Sequence, residues 1–281
     1  MTLKSSEWQP IYLPGSQSFE INSKCTGETY QVLLRVPNGP VPESGYPVLW
    51  MLDAETSFPL IYSRPTRNFT AGSPDNGREA DGLIVAIGFP GGALRNPAAR
   101  ARNYTPIPDS ETGDRVSEEF GKAGDFLRFI AEELRPLLAT KFLLDPTQQT
   151  LFGHSYGGLF AIHVLLNRPG HFQRYWAASP SLWFSEAMVL RHLRGLPSIT
   201  RCEKLVITVG QDEQYSTQPL NDWRRQAHLD KRAMVDNITE AAQRITEANP
   251  ALSMQLIVAK DHDHFDMMMH GVRRAQLLAF G

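Results

Sequence analysis

Cysteine is nearly absent: Cys25 and Cys202 are the two in 281 residues. That is too few for a disulfide framework or a cysteine-based zinc module. Lysine is scarce as well, seven of the 28 basic residues, so most positive charge is carried by arginine. Neither sign of charge dominates, because 28 Lys+Arg stand against 30 Asp+Glu for a net charge of −2. A chain so balanced has no basic field with which to hold nucleic acid or an anionic membrane. No apolar run approaches the roughly 18 residues that a membrane-spanning helix needs. The opening Met1–Glu7 stretch has no apolar core of a leader peptide. The chain therefore reads as cytoplasmic, or as periplasmic if a leader has been removed. What is plentiful is apolar material, 42% of residues, enough to fill the core of a single domain without staples.

Strand-like and helix-like stretches alternate along the chain. Phe19–Ser23 and Tyr30–Val36 read as paired strands, and Val48–Leu52 and Leu83–Ile87 as short, continuous apolar runs. Such runs fit central strands covered on both faces. Apolar residues at helical spacing follow between Val116 and Leu138. Next come a strand at Gln149–Gly153, a helix at Gly158–Leu166 and strands at Tyr175–Ala178 and Lys204–Val209. A polar helix over Lys231–Ala248, a strand at Met254–Ala259 and a closing helix at Gly271–Ala279 complete the series. This alternation predicts one α/β domain over residues 1–281, with a mostly parallel central sheet and helices on both faces. Two stretches rich in Gly, Pro and Arg, Ser57–Asp81 and Phe89–Pro108, read as long loops over a site.

Gly153-His-Ser-Tyr-Gly157 matches G-x-S-x-G between the predicted strand and helix. A serine on so sharp a turn is lifted clear of the sheet, and small neighbours are needed where Cβ atoms would collide. Ser155 is then the candidate nucleophile, and the backbone N–H of Tyr156, at the helix start, a candidate oxyanion donor. A serine hydroxyl needs a base to take its proton, and that base needs an acid to orient it. In chain order after the serine, the strand Lys204–Val209 leads to Asp212 and Glu213, and the strand Met254–Ala259 leads to His262 and His264. His264 is preferred because it lies just before the closing helix, and Glu213 because it stands three residues past Gly210. His262 with His264 could face one metal, but no third ligand has matching spacing, so neither metal nor cofactor is expected. His154 reads as a packed residue, and Met267–Met269 as packing beneath the histidine loop.

The run from Gly153 through Ala161, followed by Ser179-Pro-Ser-Leu-Trp183, resembles the putative esterase family of α/β-hydrolases. Tyr46-Pro-Val-Leu-Trp-Met-Leu-Asp53 is similar to that family's Y-P-V-L-Y-L-L-D-G strand. Arg102-Asn-Tyr-Thr-Pro106 is similar to its R-D-x-T-P segment, and Asp263-His-Phe265 to its histidine segment. The family includes trilactone siderophore esterases, S-formylglutathione hydrolase and mycolyltransferases, and the resemblance is closest to the first of these. It implies an α/β-hydrolase fold, a serine esterase needing no cofactor, and a small-molecule ester substrate, here a ferric enterobactin-like catecholate trilactone whose cleavage releases iron. A general carboxylesterase, a formylglutathione- or feruloyl-type hydrolase, and a noncatalytic binding protein on the same fold are the alternatives. The resemblance places the second oxyanion donor at the N–H of Ala54 or Glu55, with Glu55 preferred. Ala54 stands where the family has glycine, and some members of the siderophore group look like Ser–His dyads. A bulky anionic substrate asks for arginines and aromatic faces. Arg64, Arg95, Arg100 and Arg102 in the two long loops, with Trp183, are the candidates for that role.

Overall fold

The computed structural model describes residues 13–63, 81–91, 96–115, 117–193, 199–215 and 223–281. Eight strands make one sheet: β1 (Ser16–Asn22), β2 (Thr29–Arg35), β3 (Tyr46–Leu52), β4 (Leu83–Gly88), β5 (Leu144–His154), β6 (Arg174–Ala178), β7 (Lys204–Gly210) and β8 (Ser253–Ala259). Their spatial order is β1-β2-β4-β3-β5-β6-β7-β8. β1 with β2 and β2 with β4 are antiparallel, and every other pairing is parallel.

The continuous apolar runs have a direct cause. Along β3, Val48, Trp50 and Leu52 enter one core together with Val85 and Ile87 of β4, while Leu49 and Met51 enter a second with Ile84 and Ala86. Alternate residues point to opposite faces, so a strand with two covered faces must be apolar throughout. The second core is closed by α1 (Ala54–Leu60) and α9 (His264–Phe280), through Phe58, Met268, Val272 and Ala275. The first is closed mainly by α5 (Tyr156–Asn167) and α8 (Met234–Ala248). Full burial of a large apolar side chain such as Trp50 or Phe160 contributes about 1.5–3 kcal/mol each. β2, by contrast, alternates buried and half-buried positions near the sheet's edge.

Several elements depart from the reading of the sequence. The stretch Phe89–Pro108, expected as loop, contains α2 (Pro97–Tyr104). Asn96 caps it by accepting from the Ala99 N–H at 3.1 Å, and Pro97 fits the first helical position. Tyr104 at its end is fully buried among Phe89, Phe126 and Phe160. The helix expected from Val116 begins at Ala123, where α3 (Ala123–Arg128) passes through a π-helical turn (Phe129–Leu134) into α4 (Arg135–Ala139). An unassigned helix, α6 (Phe184–His192), carries three successive left-handed residues, Ser185, Glu186 and Ala187. The polar helix is two elements, α7 (Trp223–Arg232) and α8, broken at Ala233 with φ 43°. α9 starts at His264, seven residues before the expected Gly271. Among the described residues no helix is long and apolar enough to cross a membrane.

Candidate active site

Ser155 sits between β5 and α5 with φ 61° and ψ −117°, a backbone region that L-residues avoid. Such strain, of order 1–3 kcal/mol, persists only where neighbours enforce it. Here the Ser155 N–H donates to the Ala178 carbonyl at 2.9 Å, and its own carbonyl accepts from Leu159 N at 2.9 Å and Ser181 N at 3.1 Å. Two glycines make the turn feasible. A Cβ on Gly153 would lie 2.1 Å from the Gly157 carbonyl oxygen, and one on Gly158 would lie 2.9 Å from the Ala178 oxygen and the Pro180 Cα. Gly157 is less constrained, since its Cβ would meet nothing closer than Leu52 Cδ1 at 3.3 Å.

His264 occupies the first turn of α9, whose start is set by a reciprocal capping box. Asp263 accepts from the N–H groups of Phe265 (2.7 Å) and Asp266 (3.0 Å), while the Asp266 carboxylate accepts from Asp263 N–H at 2.9 Å. The His264 Nδ1 donates to Glu213 Oε2 at 2.5 Å. Because the carboxylate can only accept, Nδ1 carries the proton, and in the neutral imidazole Nε2 then holds the lone pair. Glu213 is 4% exposed, and its other oxygen accepts from Ser179 Oγ at 2.5 Å and Gly210 N at 2.8 Å. Gly210 lets the acid loop and the histidine loop meet. A Cβ there would lie 2.2 Å from the His262 carbonyl oxygen, and that carbonyl accepts from Asp212 N at 3.1 Å.

The two alternatives left by the sequence sit differently. The His262 Nδ1 bonds back to the Lys260 carbonyl at 2.7 Å. Asp212 lines the cavity, but the imidazole of His264 takes Glu213. His154, inside the elbow, bonds through Nε2 to the His264 carbonyl at 2.7 Å, and the two rings are 4.4 Å apart. It holds the histidine loop against the end of β5.

Ser155, Tyr156, Ser181, Trp183, Glu213 and His264 all line one cavity of about 440 Å³. Ser155 Oγ meets Ser181 Oγ at 3.3 Å. The Tyr156 hydroxyl donates to Asp114 at 2.5 Å, and burial together with that carboxylate raises the phenol's pKa. Near the elbow, Asp53 begins α1 in the left-handed region with φ 57°. The Glu55 carboxylate in that first turn accepts from the Phe89 N–H. Burial pushes the Glu55 carboxyl above its ordinary value, and the amides of Phe89 and of Glu55 itself oppose the shift.

The arginines differ most from expectation. Arg64 and Arg95 lie outside the described residues. Arg102 is not among the residues lining the cavity, and its guanidinium is held by Glu28 at 2.6 Å and Glu119 at 2.7 Å. Arg100 reaches the cavity wall, but only 8% exposed and committed to Asp53 through bonds of 2.6 and 3.0 Å, with a third to the His154 carbonyl at 3.4 Å. It ties α2 to the β3–α1 turn and to the end of β5, and its charge is already answered. Trp183 does line the cavity, its ring 5.9 Å from Tyr156. What the sequence reading passed over is α7, whose Arg225, His228, Leu229 and Arg232 also face the cavity. Their i, i+3, i+4, i+7 spacing is the signal that could have found them.

Comparison with known proteins gives the family and the fold. The Putative esterase family model matches residues 23–258. The Ferri-bacillibactin esterase BesA of Bacillus subtilis is 31% identical over 225 residues, 77% of each chain. The Siderophore enterobactin esterase of Emericella nidulans is 30% identical over 204 residues, 66% of this chain and 67% of that one. Among solved structures, the siderophore hydrolase EstB from Aspergillus nidulans superposes with a TM-score of 0.78 at 25% identity, covering 98% of both chains. The sheet order, the strained serine turn and these matches lead to one conclusion: the chain belongs to the Putative esterase family and is a serine ester hydrolase of the α/β-hydrolase fold.

Proposed function

We propose that the protein hydrolyses the ester bonds of a catecholate trilactone siderophore, with Ser155 as nucleophile, His264 as base and Glu213 as the acid that orients it. The observation that carries the assignment is the 2.5 Å bond from His264 Nδ1 to the buried Glu213, on the wall of the cavity that also holds the strained Ser155. The siderophore substrates named for the relatives from Bacillus subtilis and Emericella nidulans support the choice of ester. Iron enters as part of the substrate.

The chemistry divides into two halves. A rotation of the Ser155 side chain away from Ser181 directs Oγ at the ester carbonyl, and its proton passes to His264 Nε2. The tetrahedral oxyanion is met by the Tyr156 N–H and by an amide of the Ala54–Glu55 turn. Collapse breaks the C–O bond, and His264 returns the proton to the leaving alcohol. Water then attacks the acyl-enzyme through the same base and releases the acid. The imidazolium formed in each half is stabilised by the Glu213 carboxylate.

The test is to incubate the protein with a ferric catecholate trilactone and follow linear trimer, dimer and monomer by chromatography with mass detection. The reading expects hydrolysis by the wild type and none by Ser155→Ala. Absence of hydrolysis by the wild type, alongside turnover of a simple neutral ester, would overturn the siderophore assignment in favour of a general carboxylesterase.

A further inference from the structure

The proposed chemistry uses the part of the cavity around Ser155 and His264 and leaves a cationic wall unexplained. That wall is α7. None of its residues is buried, yet one continuous face, Arg225, His228, Leu229 and Arg232, is turned to the cavity. A helix that buries nothing against the core gains little from packing. Its inner face lines the cavity, where Arg232 meets Trp183.

Arg232 is the informative residue. Its guanidinium carbon lies 4.3 Å from the centroid of the Trp183 ring, well inside cation–π range. The ring itself is set in place by Gly113, whose left-handed backbone (φ 74°) passes close to it, and by Tyr156. Burial works against the Arg232 charge, opposed by Tyr156, Asp114 and Glu213 at longer range. Both carboxylates have other hydrogen-bond partners. Asp114 accepts from Tyr156, and Glu213 accepts from His264, Ser179 and Gly210. Among the described residues no hydrogen bond or ion pair engages the Arg232 nitrogens, in contrast to Arg100 and Arg102. A partly desolvated guanidinium with no direct hydrogen-bonding partner is favoured by a ligand that supplies an anionic acceptor.

We infer that Arg232, held on the face of Trp183, is the anion-reading residue of this cavity and selects esters that carry a planar aromatic anion, a catecholate or an aromatic carboxylate. The guanidinium pairs with the ligand's oxygens while the indole offers a flat surface to its ring, and Arg225 extends the same charge along α7. This inference rests on the esterase reading of the same cavity and adds α7 to the elements that read charge.

The test uses hydrolysis of a neutral ester, 4-nitrophenyl butyrate, as reporter. Inhibition by 2,3-dihydroxybenzoate is compared with inhibition by its neutral analogue 2,3-dihydroxybenzamide, in the wild type, Arg232→Gln and Arg232→Lys. Loss of a charge-assisted bond should raise the inhibition constant of the benzoate about tenfold or more in Arg232→Gln, and that of the benzamide about twofold at most. Arg232→Lys, which keeps the charge and loses the planar fork, should fall between. Equal rises for both compounds, or no rise for the benzoate, would overturn the inference. Calorimetric binding of the same two compounds reads Arg232 without any turnover, so failure of the esterase reading is seen separately. A wild type that ignores the ferric trilactone but still discriminates the two compounds through Arg232 would overturn the siderophore assignment and leave this inference standing.

Discussion

Replacing Glu213 by glutamine tests the logic of the site with almost no change of shape. The carboxylate accepts three hydrogen bonds, from His264 Nδ1 on one oxygen and from Ser179 Oγ and Gly210 N on the other. A glutamine has one accepting and one donating end, so it must choose. With its oxygen toward Gly210, its NH₂ faces Nδ1, and the imidazole must take the tautomer protonated on Nε2, which cannot accept the serine proton. With its oxygen toward His264, the NH₂ confronts the buried Gly210 N–H, donor against donor. The unmet buried donor costs about 1–3 kcal/mol, so the productive arrangement is depopulated by about 5- to 150-fold. Losing the negative charge beside the imidazolium removes roughly a further 1.5 kcal/mol, the difference between a charge-assisted and a neutral bond. Together these give a fall in kcat of about 70- to 2,000-fold. The assay is steady-state hydrolysis of a neutral aryl ester, with thermal unfolding to show that the fold is kept. A fall of less than about tenfold in a folded variant would refute the reasoning and mean that the site works as a Ser–His dyad.

Other expectations are narrower. His264→Ala should lower kcat by at least about 10³, whereas His262→Ala, whose ring bonds to its own loop, should stay within about threefold of wild type; the reverse ranking in the same assay would exchange their roles. Gly153→Ala should destabilise by more than about 3 kcal/mol or prevent folding, because the new Cβ meets backbone, while Gly157→Ala should cost under about 1.5 kcal/mol; urea unfolding measures both. Burial lowers the His163 pKa to about 4 from 6.5. The unfolded chain therefore binds more protons between those values, so the His163 contribution to stability rises from pH 4 to about 6.5 and is flat above. Urea midpoints across that window should show the slope, and His163→Gln should reduce it.

Much of the site is legible in the sequence because its determinants are local. A strand, a glycine pattern and a helix in immediate succession specify the elbow, and the exits of β7 and β8 each carry the needed residue type. The position of His264 has a local signal too, the Asp263-x-x-Asp266 capping box that starts α9 at that residue. The boundaries of α2 were hidden by composition. Its Ala and Arg residues, flanked by Gly and Pro, read as loop although Asn96-Pro97 is a sound helix start. Charge recognition is the part least legible. Arg100 is neutralised by Asp53, 47 residues away, and Arg102 by Glu28, 74 residues away, pairings that no window on the chain displays. The polar face of α7 is indistinguishable in sequence from an ordinary solvated helix face, and only its placement over the cavity gives Arg232 a function.

The most direct test of the central claim is covalent. The protein is treated with a fluorophosphonate, which reacts with activated serines, and the adduct is located by mass spectrometry of intact protein and peptides. The account predicts a single adduct on Ser155, formed at a rate that collapses in His264→Ala. An adduct on another residue, or none on a folded protein, would contradict it.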